Sequence, residues 1–197
     1  MSRAVLLVAL VACRSAAASY YTLVPPVVDD PSPATNELQI DVLPVDMPAD
    51  VDRAEIVVRT GAGEVTPVET RSWIAPLSLE FRHALSEDLT HALGARDIAG
   101  LTPADGVPTF RIKLSVRRFE SQIGKRAVIE ATSTIRDIAG TSPALVCSHR
   151  ASEEAGAGYA QLVEAHQRAL VTIARQVAES VRSLRAGTGS CARPERR

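Results

Sequence analysis

Aromatic residues are scarce in this 197-residue chain, which has three Phe, one Trp and three Tyr. So few rings, scattered from Tyr20 to Tyr159, argue against a base-stacking platform interleaved with cations, and hence against single-stranded nucleic acid as a ligand. Charge of one sign is missing too. Lys and Arg number 22 against 23 Asp and Glu, a formal net charge of -1, so no basic field draws in a polyanion. No apolar run approaches the roughly 20 residues of a membrane-spanning helix. Cysteine is limited to three, an odd number, so one thiol has a separate fate if the chain is exported. What remains is 46% hydrophobic and 23% charged, enough for one domain with a core, too little for two large domains and too apolar for a disordered tail.

The N-terminus addresses the compartment. Residues 1–12 read MSRAVLLVALVA, with Arg3 followed by an apolar run from Ala4 to Ala12, the layout of an export signal. The run ends at Leu10-Val11-Ala12-Cys13, which resembles the bacterial lipobox, and Cys13 would be the first mature residue. A thiol there takes a diacylglycerol thioether and the freed amine takes a further acyl chain, so the expected non-protein group is covalent lipid on Cys13 and no other cofactor. Each buried CH₂ contributes about 0.8 kcal/mol, and two or three chains hold a domain at a membrane without a spanning helix. The alternative is a plain signal peptide with a cysteine at its end. Arg14 and Ser15 follow, and neither is the aspartate associated with inner-membrane retention in enteric bacteria, so the expected destination is the outer membrane.

The mature chain divides by composition. Residues 13–35 contain Pro25, Pro26, Pro31 and Pro33 and are expected to form an extended tether. Residues 36–186 read as one domain and 187–197 as a polar tail. Within the domain, Leu38, Ile40 and Val42 alternate with Gln39 and Asp41 as in a half-buried strand, and Glu55 to Thr60 reads as an interior strand broken by Gly61 and Gly63. From Trp73 the period becomes helical, through Leu77, Phe81, Leu85, Leu89 and Leu93 to Gly94, with Pro76 suited to the first turn. Phe110 to Arg117 alternates cleanly; Arg126 to Ile138 and Pro143 to Arg150 complete an expected antiparallel meander. Tyr159 to Leu184 repeats apolar residues at helical spacing. The order ββαβββα predicts an α/β or α+β domain, a mixed sheet of about five strands with two main helices packed on it.

Constellations that carry chemistry are thin. Glu80-x-x-His83 and Asp88-x-x-His91 look like halves of a helical metal site, yet both lie on one helix, so no metal is expected and they read better as polar residues on the solvent side of an amphipathic helix. His149 and His166 lack ligands at metal spacing, and His166, on an apolar stripe, reads as a core-edge residue. G-x-S-x-G and phosphate-loop patterns are absent, which disfavours a hydrolase and predicts no catalytic residue. The C-terminal arginines read as a solvated tail. In an oxidising compartment Cys147 and Cys191 would form a disulfide worth on the order of 4 kcal/mol in the chain-entropy model, or stay as two free thiols.

Four segments carry a resemblance. Tyr20-Tyr21-Thr22-Leu23, then Ile40 to Val45, then Met47 to Arg59, then Arg71-Ser72-Trp73-Ile74-Ala75-Pro76-Leu77 resemble the PqiC/YmbA family of ABC-type transport auxiliary lipoproteins. That family shows a YYxL start, a strand ending in V-x-x-P, a Leu-Asp-Arg-Pro-x-Ile-Val-x-Arg segment and an R-x-W-x-x-P-L helix start. Val51 and Ala54 depart from its Leu and Pro. The matching positions Tyr21, Asp52, Arg53, Arg59, Trp73 and Pro76 are accordingly expected to serve structure or docking. The resemblance implies a single three-layer domain, anticodon-binding-domain-like, acting as a non-enzymatic part of an MCE-type phospholipid transport system. Its implied partners are a periplasmic MCE-family protein and inner-membrane permease or ABC components, with phospholipid as cargo and a ring-like homo-oligomer as assembly. A structural envelope lipoprotein that binds another protein and moves no lipid is the competing reading.

Overall fold

The computed structural model describes residues 17–26, 37–140 and 142–192, and Cys13 lies outside them. In chain order the elements are β1 (Ser19–Tyr21), β2 (Gln39–Val42), β3 (Glu55–Arg59), β4 (Val65–Trp73), α1 (Leu77–Leu93), β5 (Arg96–Asp97), β6 (Thr109–Gln122), β7 (Arg126–Asp137), β8 (Leu145–Glu154) and α2 (Tyr159–Arg185). The class is α/β, with two sheets rather than the single one expected. A five-stranded mixed sheet runs β5-β2-β6-β7-β8, and a three-stranded sheet runs β1-β4-β3.

The expected meander is β6-β7-β8, antiparallel throughout. Its alternation follows from one wet and one buried face: Phe110, Ile112, Leu114 and Val116 are buried, with Arg111 and Arg117 exposed between and beside them. Gly124 turns the hairpin with φ +69, and Gly94 ends α1 with φ +61, two backbone states that glycine adopts without strain. β2 joins in parallel between β5 and β6. Buried Asp41 on β2 accepts from Arg111 Nε at 2.7 Å and from the Gly100 N–H at 3.1 Å, tying β2 to β6 and to the loop after β5.

The second sheet corrects two expectations. Trp73 ends β4 instead of opening the helix, because Pro76, with ψ 139, is extended and occupies the N-cap position before Leu77. The expected tether of residues 13–35 is shortened, since Ser19–Tyr21 pairs in parallel with Arg71–Trp73 and Leu23 is buried in the core. The domain starts before the prolines, and the proline-containing segment connects β1 to β2.

The few rings mark where the layers meet. Phe119 of β6 sits edge-on to Trp73 of β4 at 6.2 Å and to Phe81 of α1 at 6.4 Å, and stacks on His166 of α2 at 4.0 Å and 7°. One side chain thus contacts the small sheet and both helices. Cys147 on β8 and Cys191 beyond α2 form a disulfide, Cα–Cα 5.5 Å, that fastens the end of the chain to the edge strand.

Candidate functional site: the N-terminal corner and its groove

β1 is too short to hold its place by pairing alone. Glu80 secures it: one carboxylate oxygen accepts from Thr22 Oγ1 at 2.7 Å and from the Leu23 N–H at 2.9 Å. Glu80 was expected on a polar face beside His83; instead it is buried and His83 is exposed, because the first residues of the domain lie over the start of α1. The charge of Glu80 is taken up by these donors, a stronger arrangement than a neutral pair.

The residues of the family motif divide between two places. Tyr21 opposes Trp73 in the β1–β4 ladder, and the Trp73 N–H donates to the Ala54 carbonyl at 2.7 Å. Asp52 accepts from the Ser78 N–H at 2.9 Å, capping α1 from a distant loop where Pro76 offers no side-chain cap. Tyr21, Asp52, Trp73 and Pro76 therefore meet at one corner. Arg53 pairs with Glu55 at 2.8 Å on the surface, and that hydrogen bond holds the Glu55 carboxyl below the usual range. Arg59 stands apart at the far end of β3. Its Nε lies 2.9 Å from Glu120 Oε2, close enough for an ion pair but poorly aligned for a hydrogen bond, and its Nη1 donates to the Ala62 carbonyl at 3.0 Å.

Between β3 and β6 lies an open groove of about 430 Å³, lined by Pro48, Val57, Arg59, Arg117 and Phe119 among others. The ladder of β6 and β7 shifts register between Val116 and Arg118, a bulge that leaves Arg117 unpaired in the ladder and turns it toward this groove. Arg118 answers Glu130 across the sheet at 3.6 Å.

Two buried serine–histidine pairs escaped the sequence reading. Ser121 Oγ lies 2.8 Å from His166 Nε2, and Ser133 Oγ lies 2.7 Å from His149 Nε2. His166, expected at the core edge, is wholly buried. Desolvation pushes its imidazole down to about 3, and that of His149 to about 4 against the support of Gln176. So weak a base takes no proton from a serine at neutral pH, and Nδ1 of His166 has no hydrogen-bond partner among the described residues, hence no carboxylate orients the ring. These pairs satisfy polar groups inside the core. No group of three or more His, Cys, Asp or Glu is arranged to hold a metal among the described residues, and none of their helices is long and apolar enough to cross a membrane.

Solved structures share this fold, two of them over most of the chain. An uncharacterized protein superposes with a TM-score of 0.67 at 16% identity, covering 84% of this chain and 99% of its own. A Xanthomonas campestris protein under the family model DUF330 gives 0.58 at 16% identity, covering 87% and 100%. No curated protein matches the sequence. The family model for the ABC-type transport auxiliary lipoprotein component matches residues 21–178, from the Tyr21 that pairs with Trp73 to the middle turns of α2. This chain belongs to the ABC-type transport auxiliary lipoprotein family, of the PqiC/YmbA type.

Proposed function

We propose that the protein is an outer-membrane lipoprotein subunit of an MCE-type intermembrane phospholipid transporter, anchored by lipid on Cys13 and working by docking, not catalysis. The observation that carries this reading is the family match across residues 21–178. The export-signal pattern ending at Cys13 supports the anchor, and Arg14 and Ser15 support the outer-membrane address. The docking partner is a periplasmic MCE-family protein fed by inner-membrane permease and ABC components, and the protein assembles with copies of itself. Its surface offers the groove beside Arg59 and Arg117 as a recess for a partner's side chains.

Two experiments test the parts separately. Cys13→Ala should move the protein from the membrane fraction to the soluble envelope fraction; a variant still wholly in membranes would remove the lipid anchor from the reading. Purification from crosslinked envelopes should recover an MCE-family protein. Recovery of envelope proteins without one would favour a binding lipoprotein that moves no lipid.

A further inference from the structure

The placement of β1 fixes which side of the domain meets the membrane. Four residue steps separate Cys13 from Ala17, and a fully extended chain covers at most about 14 Å over that distance. From Ala17 the chain passes into β1, which is held by its ladder with β4 and by the two hydrogen bonds to Glu80. The start of the domain therefore cannot swing far from a lipid on Cys13.

Exposed apolar side chains run along the outward side of this edge, from Tyr20 in β1 past the end of β4 to the start of α1. Side chains alternate along a strand, and Tyr21 and Trp73 turn to the core, so Tyr20 turns outward. Ile74, directly after Trp73, turns outward as well, its N–H donating to the Tyr21 carbonyl at 2.9 Å. Tyr20 is 68% exposed and Ile74 70%, and Leu79 in the first turn of α1 is 48% exposed. Arg71, the neighbouring cation on β4, is turned over the Tyr159 ring at 5.4 Å and donates to the Thr70 carbonyl. A tyrosine with its ring in hydrocarbon and its hydroxyl among headgroups suits a bilayer boundary.

We propose that Tyr20, Ile74 and Leu79 form a membrane-contact face that rests on the phospholipid surface into which the Cys13 lipid inserts. This rests on the lipid-anchor reading above, and it adds an orientation: β1 and the start of α1 toward the bilayer. The contact is apolar, so it needs no anionic lipid.

The full chain, purified with its native lipid and reconstituted in phosphatidylcholine vesicles, carries an environment-sensitive dye at Ile74→Cys or, as control, at Leu101→Cys. Leu101 is 72% exposed and belongs to the segment between β5 and β6; the other two domain cysteines are occupied by their disulfide. The dye at position 74 should shift to the blue and lose most of its emission to spin-labelled phospholipid in the bilayer, while the dye at 101 does neither. Vesicle-bound protein whose position 74 stays unquenched overturns the proposal and leaves the anchor standing. A blue shift that grows with protein concentration in detergent, without lipid quenching, assigns the face to a second copy and also overturns it. Protein that does not float with vesicles and whose mass lacks acyl chains fails the anchor itself, and the contact face with it.

Discussion

Asp88 is a carboxyl whose burial runs against its charge. It lies half-buried on α1, where desolvation, with Glu87 adding repulsion and Arg175 opposing, raises it to about 7. An unfolded aspartate titrates near 3.9, so between that value and about 7 the folded chain binds the extra proton, and this group costs stability as pH rises through that window. Asp88→Asn should therefore raise the unfolding free energy read from urea melts at pH 7.5, by on the order of 1 kcal/mol after allowance for solvent screening. The gain should vanish by about pH 4; an equal gain at both pH values would mean that packing, not charge, is responsible. The buried imidazoles act with the opposite sign. An unfolded histidine titrates near 6.5 but His149 and His166 are held at about 4 and about 3, so below 6.5 the unfolded chain takes up protons that the folded one refuses. Their contribution is complete above pH 6.5 and is lost as pH falls toward 4 and then 3, with a slope of up to about 1.4 kcal/mol per pH unit for each ring. His149→Gln should lower stability at pH 7.5 yet flatten its fall between pH 6.5 and 4.5, as read from urea midpoints at the two values.

Among the elements, those with a strong period were legible. α2 repeats Leu162, His166, Leu170, Ile173, Val177, Val181 and Leu184 on its buried face, and the β6-β7-β8 meander alternates outside the bulge at Arg117 and the buried run Ala127 to Ile129. β4 left almost no signal because Val65, Thr66 and Pro67 are all exposed and only Trp73 is fully buried, so no alternation develops and its last residues were absorbed into the helical pattern. β1 has three residues, and Glu80 gave no hint of Thr22 and Leu23 because that contact joins positions 57 and 58 residues apart. At the candidate site, the motif residues are legible through the family resemblance, but their division between the β1–β4 corner and the Arg59 groove depends on sheet pairing that no local pattern encodes. The disulfide acts at this scale too. Cys147 and Cys191 are 44 residues apart, and closing such a loop contributes about 4 kcal/mol in the chain-entropy model, at the upper end of the usual 2–4. Cys147→Ser with Cys191→Ser should lower the unfolding free energy read from urea melts by about that amount. Hydrogen exchange should quicken first in β8, whose outer edge loses the fastened chain end.

At the scale of the molecule, the aromatic cluster shows why the first residues belong to the fold and not to a tether. Phe119 carries contacts from β4, α1 and α2, and Trp73 brings the small sheet into that cluster. β1 closes the outer edge of the same sheet, and Leu23, 1% exposed, fills the core beneath it. A chain starting at Glu37, close to where composition alone places the domain boundary, loses all of this. Leu23 no longer contributes the roughly 1.5–3 kcal/mol of a buried leucine. Glu80 keeps its burial but loses both donors, a penalty of about 1–3 kcal/mol or more for a charged acceptor. Together these approach the whole stability of a marginal domain, about 5–15 kcal/mol. The truncated chain should thus have a urea midpoint far below that of a chain starting at Ala17, or fail to fold cooperatively. Leu23→Ala in the longer chain gives the graded version, an expected loss of about 2–5 kcal/mol that leaves the Glu80 hydrogen bonds in place. Equal midpoints for the two chain lengths, with Leu23→Ala silent, would return residues 17–26 to the role of a tether and free the anchored end of the domain from the bilayer.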